Sequence, residues 1–297
     1  MYIKRKGVFS MSKTFTQTPQ NKLYPFTKWT GGKRQLIPNI KELLPSSFGT
    51  YYEPFVGGGA LFFELAPEKA VINDLNTDLI NAYMSIRDNV EELIDLLEVH
   101  QIKNDKSYYY DIRSVDRDGR IKRMTEVERA ARILYMLRVN FNGLYRVNSK
   151  NEFNTPYGRY KNPRIVDREN LENISNYLRD NMITILNTDF SLAVEDAKAG
   201  DFVYIDPPYV PATPSSSFTG YTADGFDLSE QERLRDLFVS LDKKGVYIML
   251  SNSDTDIVHE LYQKYADTTH IVKAKRNINS KGNKRGKINE VIITNYR

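Results

Sequence analysis

The sequence predicts an α/β fold: a doubly wound, mostly parallel sheet carrying an inserted helical and β-hairpin unit. Three observations predict it. Short apolar or β-branched runs at 51–55, 70–73, 183–187, 202–205, 246–251 and 291–295 alternate with helical patterns. A turn rich in glycine, Gly57-Gly58-Gly59, leads from the first run straight into the helical stretch 60–65. Between residues 78 and 180 the strand signal fades, and the chain becomes polar and helical, then basic and aromatic.

Taken in order, residues 1–24 form a basic arm without the apolar core of a signal peptide. The first two runs and the turn between them open a catalytic unit assigned to residues 25–77 and 181–297. Residues 78–180 read as an insertion, with helical patterns at 90–100 and 125–137. After the run at 202–205 comes a well-marked helix. Ser229 with Glu232 reads as its capping box, Leu234, Leu237, Phe238 and Leu241 as its apolar face, and Gly245 as its stop.

Composition excludes several functions. The 297 residues contain no cysteine, so disulfides, thiolate zinc sites and a cysteine nucleophile are ruled out. His100, His259 and His270 are the only histidines and lack ligand spacing, so no metal is expected. No apolar run is long enough to span a bilayer, and a cytoplasmic location follows as the expectation. The net charge of +4 is compatible with a polyanionic partner.

The sharpest motif is Asp206-Pro207-Pro208-Tyr209, directly after the run at 202–205. In open α/β sheets ligands bind beyond the carboxyl ends of the strands, where this tetrapeptide falls. The exocyclic amino group of a nucleobase is a poor nucleophile, because its lone pair is delocalised into the ring. A carboxylate from Asp206 and a carbonyl from Pro207 could each accept one of its N–H groups, and Tyr209 could stack on the base. A duplex would have to extrude that base. A Pro-Pro turn that merely ends a strand would have the same four letters.

The second motif is Glu53-Pro54-Phe55 followed by Val56 and the three glycines, which let backbone approach a nucleotide-like ligand. A nicotinamide site or a plain tight turn reads the same way. Asp74 ends the next run, where an acid can take ribose hydroxyls. The string from Lys28 through Trp29 to Lys33 is not a phosphate-binding P-loop, because Thr27 and Arg34 stand where glycine and a hydroxyl are needed. Residues 138–164 hold six basic residues against Glu152 alone, interleaved with aromatics. A β-hairpin turning at 148–151, with Asn151 tolerating positive φ, would present them to phosphates and bases. Residues 273–287 carry seven basic residues and no acid, a phosphate-binding loop or a solvated one.

In this order the motifs resemble the Dam family of adenine-N6 DNA methyltransferases, most of all the DpnM-type methylases that accompany GATC restriction enzymes. The strings are FTKWTGGKRQL, YYEPFVGGGALFFEL, VINDLN, NFNGLYRVNSKNEFNTPYGRY and FVYIDPPYVP, within a match running from about Pro25 to Arg297. The resemblance implies S-adenosylmethionine as cofactor, S-adenosylhomocysteine as product, and duplex DNA as partner, with no metal and no membrane. A restriction endonuclease of the same specificity is the implied functional counterpart.

By resemblance, Trp29, Lys33, Glu53, Pro54, Phe55, Gly57, Gly59 and Asp74 hold the cofactor. Asp189 and Phe190 lie near its adenine, and Asp206 borders both cofactor and target. Catalysis falls to Asp206, Pro207 and Tyr209. Phe141 and Asn142 would fill the space of the flipped base, Leu144, Arg146 and Pro156 would read the outer GATC pairs, and Lys28 would approach the first guanine. Asn148, Arg159 and Tyr160 are further DNA-binding candidates. Phe141 stands where some members carry tyrosine. An RNA or cytosine-N4 methyltransferase is the nearest alternative, and a silent DNA-binding module or a nicotinamide dehydrogenase the more distant ones.

Overall fold

Seven strands, β1 (Tyr51–Glu53), β2 (Lys69–Asn73), β3 (Met182–Leu186), β4 (Phe202–Ile205), β5 (Tyr247–Ser253), β6 (Thr269–Lys275) and β7 (Lys287–Thr294), lie side by side in the order β3-β2-β1-β4-β5-β7-β6. The computed structural model describes residues 22–29, 33–211, 226–275 and 287–297. Residues 1–21 of the 1–24 arm, positions 30–32 of the Lys28–Lys33 string, residues 212–225 after the Asp206–Tyr209 motif and residues 276–286 of the basic run lie outside the described residues.

The first five strands are parallel, and β7 enters antiparallel between β5 and β6. From β1 the chain runs outward through β2 to β3, then returns to β4 on the other side of β1 and continues to β5. The order therefore reverses between β1 and β4, where Tyr51 pairs with Phe202 and Tyr52 with Val203. Ligands of open sheets bind at such a reversal, beyond the carboxyl ends. Here those ends are Glu53 and Ile205, each followed by one of the two sharpest sequence motifs.

All four residues of β4 are buried, as a central strand covered on both faces requires. Its side chains alternate between two cores. Phe202 and Tyr204 join Tyr51, Ala70 and Ile72 against helices α1 (Ile37–Glu42), α2 (Ala60–Leu65), α3 (Thr77–Asp88), α4 (Val90–Lys103), α6 (Glu126–Val139) and α7 (Arg168–Asp180). Val203 and Ile205 join Ile248, Leu250 and the apolar side of a helix at Leu228–Lys243. This two-sided cover is the doubly wound arrangement the alternating pattern predicts.

Between β2 and β3, α3 and α7 pack on the sheet while α4 and α6 pack upon them. Helix α6 starts at a capping box: Thr125 Oγ1 accepts the Glu128 N–H (3.2 Å) and Glu128 Oε2 accepts the Thr125 N–H (2.7 Å). Buried within it is Arg132, whose guanidinium donates to the Ile112 carbonyl (2.9 Å) and pairs with Asp116 at 3.1 Å. Asp116 in turn accepts the Phe153 N–H at 2.7 Å, fastening the 140–157 ribbon to α5 (Lys106–Ser114) and α6.

That ribbon is a hairpin, held by antiparallel bridges Asn140–Tyr157 and Val147–Phe153 rather than by long strands. Its tip is built by Asn148, whose Oδ1 accepts the N–H groups of Lys150 and Glu152, both at 3.0 Å. Asn151 takes φ of 59°, the left-handed conformation expected for it.

Other expectations are corrected. The helix Leu228–Lys243 is capped by Asp227, which accepts the Glu230 N–H at 3.1 Å; Ser229 instead donates to Asp227. Strand β6 was not foreseen, and β7 begins four residues earlier than expected, at Lys287 rather than 291. Both ends of the basic run 273–287 are thus strand, paired Lys273 to Asn289 and Lys275 to Lys287. Sheet pairing overrode a composition that reads as loop.

Candidate active site at the carboxyl ends of the central strands

The glycine turn is pinned to the end of β2. Asp74 Oδ2 accepts the Gly57 N–H at 3.0 Å and its Oδ1 the Asn76 N–H at 2.9 Å, while Asn73 Nδ2 donates to the Pro54 carbonyl (3.0 Å). Gly57 and Gly59 have φ of 50° and 69°. A Cβ on Gly59 would stand 2.5 Å from the Tyr83 hydroxyl, and one on Gly57 would stand 2.9 Å from Trp29 Cδ1. Trp29 thus lies against the turn, with its other neighbour the Tyr145 ring, 5.4 Å between centroids.

Glu53 is buried behind the turn. Its carboxyl accepts from the Tyr51 hydroxyl (2.7 Å) and from the backbone of Phe62 in the first turn of α2. Burial pushes this carboxyl well above the usual range; the Tyr51 hydrogen bond opposes the shift, and the charges of Asp206 and Asp74 reinforce it. The three acids therefore share one field.

The Asp206-Pro207-Pro208-Tyr209 corner is clamped from behind. Gln231 Nε2 donates to the Pro208 carbonyl (2.8 Å), Asn252 Oδ1 accepts the Val210 N–H (3.1 Å), and Ser253 Oγ donates to the Val210 carbonyl (2.6 Å). Every one of these partners is buried. Asp206 faces forward, its side chain 18% exposed, with Lys33 Nζ 3.1 Å away and Ser251 Oγ at 3.4 Å. Burial raises its pKa to about 6, against the pull of Lys33 and with the push of Glu290. Tyr209 donates its hydroxyl to Glu290 Oε2 (2.8 Å) and holds Lys33 Nζ over its ring, 3.9 Å from the centroid. No described residue donates a hydrogen bond to the Pro207 carbonyl.

An aromatic cluster lies beyond the carboxyl ends of β1 and β3. Phe55 and Phe190 stack at 5.3 Å and Phe226 meets both rings. Asp189 caps the short helix α8 (Phe190–Ala193) through the Ser191 N–H (2.9 Å) and pairs with Arg233, whose guanidinium lies 4.2 Å over the Phe190 ring. Partial burial would raise the Asp189 pKa, but the bonds from Arg233 and Ser191 outweigh it and hold the carboxylate low.

The remaining candidates cluster on the ribbon. Phe141 (52% exposed) follows α6 directly, Asn142 has φ of 60°, and the Phe141 N–H bonds the Pro156 carbonyl at 2.9 Å. Lys28 lies against Gly143 and over the Tyr160 ring at 4.5 Å. Arg146 is exposed, its Nε donating to Asn154 Oδ1 at 2.6 Å, and Arg159 is exposed as well. The Leu144 carbonyl accepts from Asn140 and Thr155, which fixes the backbone beneath its half-buried side chain.

The profile of D12 class N6 adenine-specific DNA methyltransferases matches residues 29–278. The chain belongs to this family. The Type II methyltransferase M1.LlaDCHI of Lactococcus lactis subsp. cremoris is 60% identical over 274 residues, 92% of this chain and 96% of that protein. The Type II methyltransferase M.MjaIII of Methanocaldococcus jannaschii is 41% identical (92% and 99% covered), and a DNA adenine methylase of Haemophilus influenzae 36% identical (92% and 94%).

This DNA adenine methyltransferase draws its methyl group from S-adenosylmethionine, as its family implies. The chemistry of the site fits that molecule. The aromatic cluster around Phe55 suits packing against a purine, the half-buried carboxylate of Asp74 suits hydroxyl donors, and the ammonium of Lys33 suits a carboxylate. Among the described residues no helix is long and apolar enough to cross a membrane.

Sequence reasoning missed the rear clamp of Gln231, Asn252 and Ser253, and it missed Glu290. A signal existed. Ser251-Asn252-Ser253 turns an apolar strand polar at its carboxyl end, and Glu290 is the first acid after seven basic residues.

Proposed function

We propose that the enzyme methylates N6 of adenine within GATC in duplex DNA, acting on a base extruded from the helix. The observation that carries the reading is Asp206, partly exposed, beside a Pro207 carbonyl that accepts no hydrogen bond from a described residue, on a clamped corner at the sheet reversal. Asp206 and the Pro207 carbonyl each accept one N–H of the target amine, returning electron density to its nitrogen, and Tyr209 stacks on the ring. The bound cofactor supplies an electrophilic sulfonium methyl. The amine attacks the methyl carbon directly, since the chain has no cysteine to form a covalent intermediate. As the nitrogen–carbon bond forms the methyl–sulfur bond breaks, releasing S-adenosylhomocysteine, and the surplus amine proton passes by way of the Asp206 carboxylate to water.

Trp29, Lys33, Glu53, Pro54, Phe55, Gly57, Gly59, Asp74, Asp189 and Phe190 form the cofactor side, Glu53 by stiffening the turn from behind. Residues 78–180 serve as the recognition insertion on a catalytic unit of 25–77 and 181–297. Phe141 is exposed at the start of the ribbon, which suits it to fill the gap left by an extruded base. The likeness to a Type II methyltransferase supports a restriction endonuclease of the same specificity as functional counterpart.

Mapping modified adenines in plasmid treated with enzyme and cofactor tests the reading: modification at GATC is expected, and modification at unrelated sites rejects it. Arg146→Ala should weaken methylation at GATC about 10- to 100-fold and relax selection at one outer pair, as loss of a bidentate guanine contact does. Equal losses on all sequences would make Arg146 a phosphate contact instead.

A pH dependence follows from Asp206. The carboxyl must be ionised to accept the amine, and its pKa is raised to about 6. In the free enzyme kcat/KM for DNA should be flat above that value and fall about tenfold per pH unit below it. A limb set by an ordinary carboxyl, about two units lower, would contradict the burial of Asp206.

A further inference from the structure

Glu290 has no task in the reaction as proposed, yet it stands in its centre. It lies on β7 opposite Ser253 of β5, and because β7 runs antiparallel this register brings it to the carboxyl ends of the parallel strands. Its side chain is 12% exposed. A second carboxylate in a half-buried corner is costly unless it is paired. Its partners are Tyr209, whose hydroxyl it accepts at 2.8 Å, and Lys33, whose Nζ lies 4.0 Å from Glu290, 3.1 Å from Asp206 and 3.9 Å above the Tyr209 ring. Three side chains, those of Asp206, Glu290 and Tyr209, thus surround the Lys33 ammonium group.

We propose that Glu290 is a positioning residue for methyl transfer. It fixes the Tyr209 ring through its hydroxyl and shares Lys33 with Asp206, leaving the catalytic carboxylate open to the target amine. The inference rests on the adenine reading given above. Without Glu290, the phenol is free to turn about its ring axis and swing from the base, and Lys33 is left to Asp206 alone. The groups that face Asp206 are Lys33 before β1, Glu53 on β1, Tyr204 on β4, Tyr209 beyond it, Ser251 on β5 and Glu290 on β7. Of these Glu290 is a like charge and Lys33 the opposing one, so neutralising Glu290 makes Asp206 more acidic.

The test is the pH profile of kcat/KM for a GATC duplex in the wild-type enzyme, E290Q, E290A, Y209F and Y209F/E290A. Both Glu290 variants should move the acid limb to lower pH. E290A should also lower the plateau about 10- to 100-fold, the loss of a hydrogen bond to a charged group. E290Q, which keeps an oxygen acceptor for Tyr209, should recover most of that loss. In the Y209F background E290A should cost far less than in wild type, because the contact is already gone. An unmoved acid limb in E290Q, or undiminished loss in the Y209F background, overturns the inference. If the wild-type enzyme leaves N6 of adenine unmodified, the underlying reading falls instead.

Discussion

Asp206→Ala is expected to lower the rate of methyl transfer by about 100- to 1000-fold while sparing duplex binding. The truncation removes the carboxylate proposed to accept the target N–H, in a site too enclosed for water to substitute fully, and one such preorganised group accounts for about two to three orders of magnitude. It also frees Lys33, which Glu290 can still hold. Binding should survive because the ribbon carrying Phe141 and Arg146, with Lys28 against it, is fastened elsewhere, through Asp116 and Tyr109. Single-turnover transfer of labelled methyl, with fluorescence anisotropy on the same duplex, separates the two effects. Normal turnover in the variant would remove Asp206 from the mechanism.

The second large effect falls on stability. Arg132 is buried among backbone carbonyls and pairs with Asp116, so Arg132→Ala takes a charged donor from the Ile112 and Arg113 carbonyls and from the Asp116 carboxylate, which keeps Arg117 as its remaining cation. Losing hydrogen bonds to a charged group costs about 1.5–3 kcal/mol. Asp116 also holds the Phe153 N–H, so the loss extends to the ribbon, and selection among DNA sequences should weaken with it. Urea unfolding measures the first consequence. A shift under about 1 kcal/mol, the size of an exposed pair, would mean that Asp116 finds other partners.

Much of this was legible in the sequence because it is written in local chemistry. The run Phe202–Ile205 followed by Asp-Pro-Pro-Tyr reads as a buried strand and a stiff corner, since prolines bar helix and β4 has no polar face. The glycine turn and Asp74 read as neighbours because one crossover places the ends of β1 and β2 side by side. What escaped depends on sheet pairing across long separations. Glu290 reaches Tyr209 over 81 residues, and only the antiparallel entry of β7 puts it there. Gln231 looked like any polar position on a surface helix, yet it is fully buried and holds the Pro208 carbonyl. In the sequence Asp189 reads as a ligand contact alone, although it also caps α8 and pairs with Arg233.

Asn148 shows the converse. Taken as a DNA contact, it spends both side-chain ends inside the hairpin tip, its amide donating to Glu152 at 2.8 Å and its oxygen accepting two backbone N–H groups. In the free protein its work is to shape the ribbon that presents Arg146.

The central claim is that Asp206 and the Pro207 carbonyl grasp the amine of an extruded adenine. A crystal structure of the enzyme with a GATC duplex and S-adenosylhomocysteine tests it most directly. The expected result is an adenine outside the helix, its N6 about 2.7–3.2 Å from both oxygens and its ring against Tyr209. An adenine still stacked in the duplex, or one extruded with N6 turned away from Asp206, would contradict it.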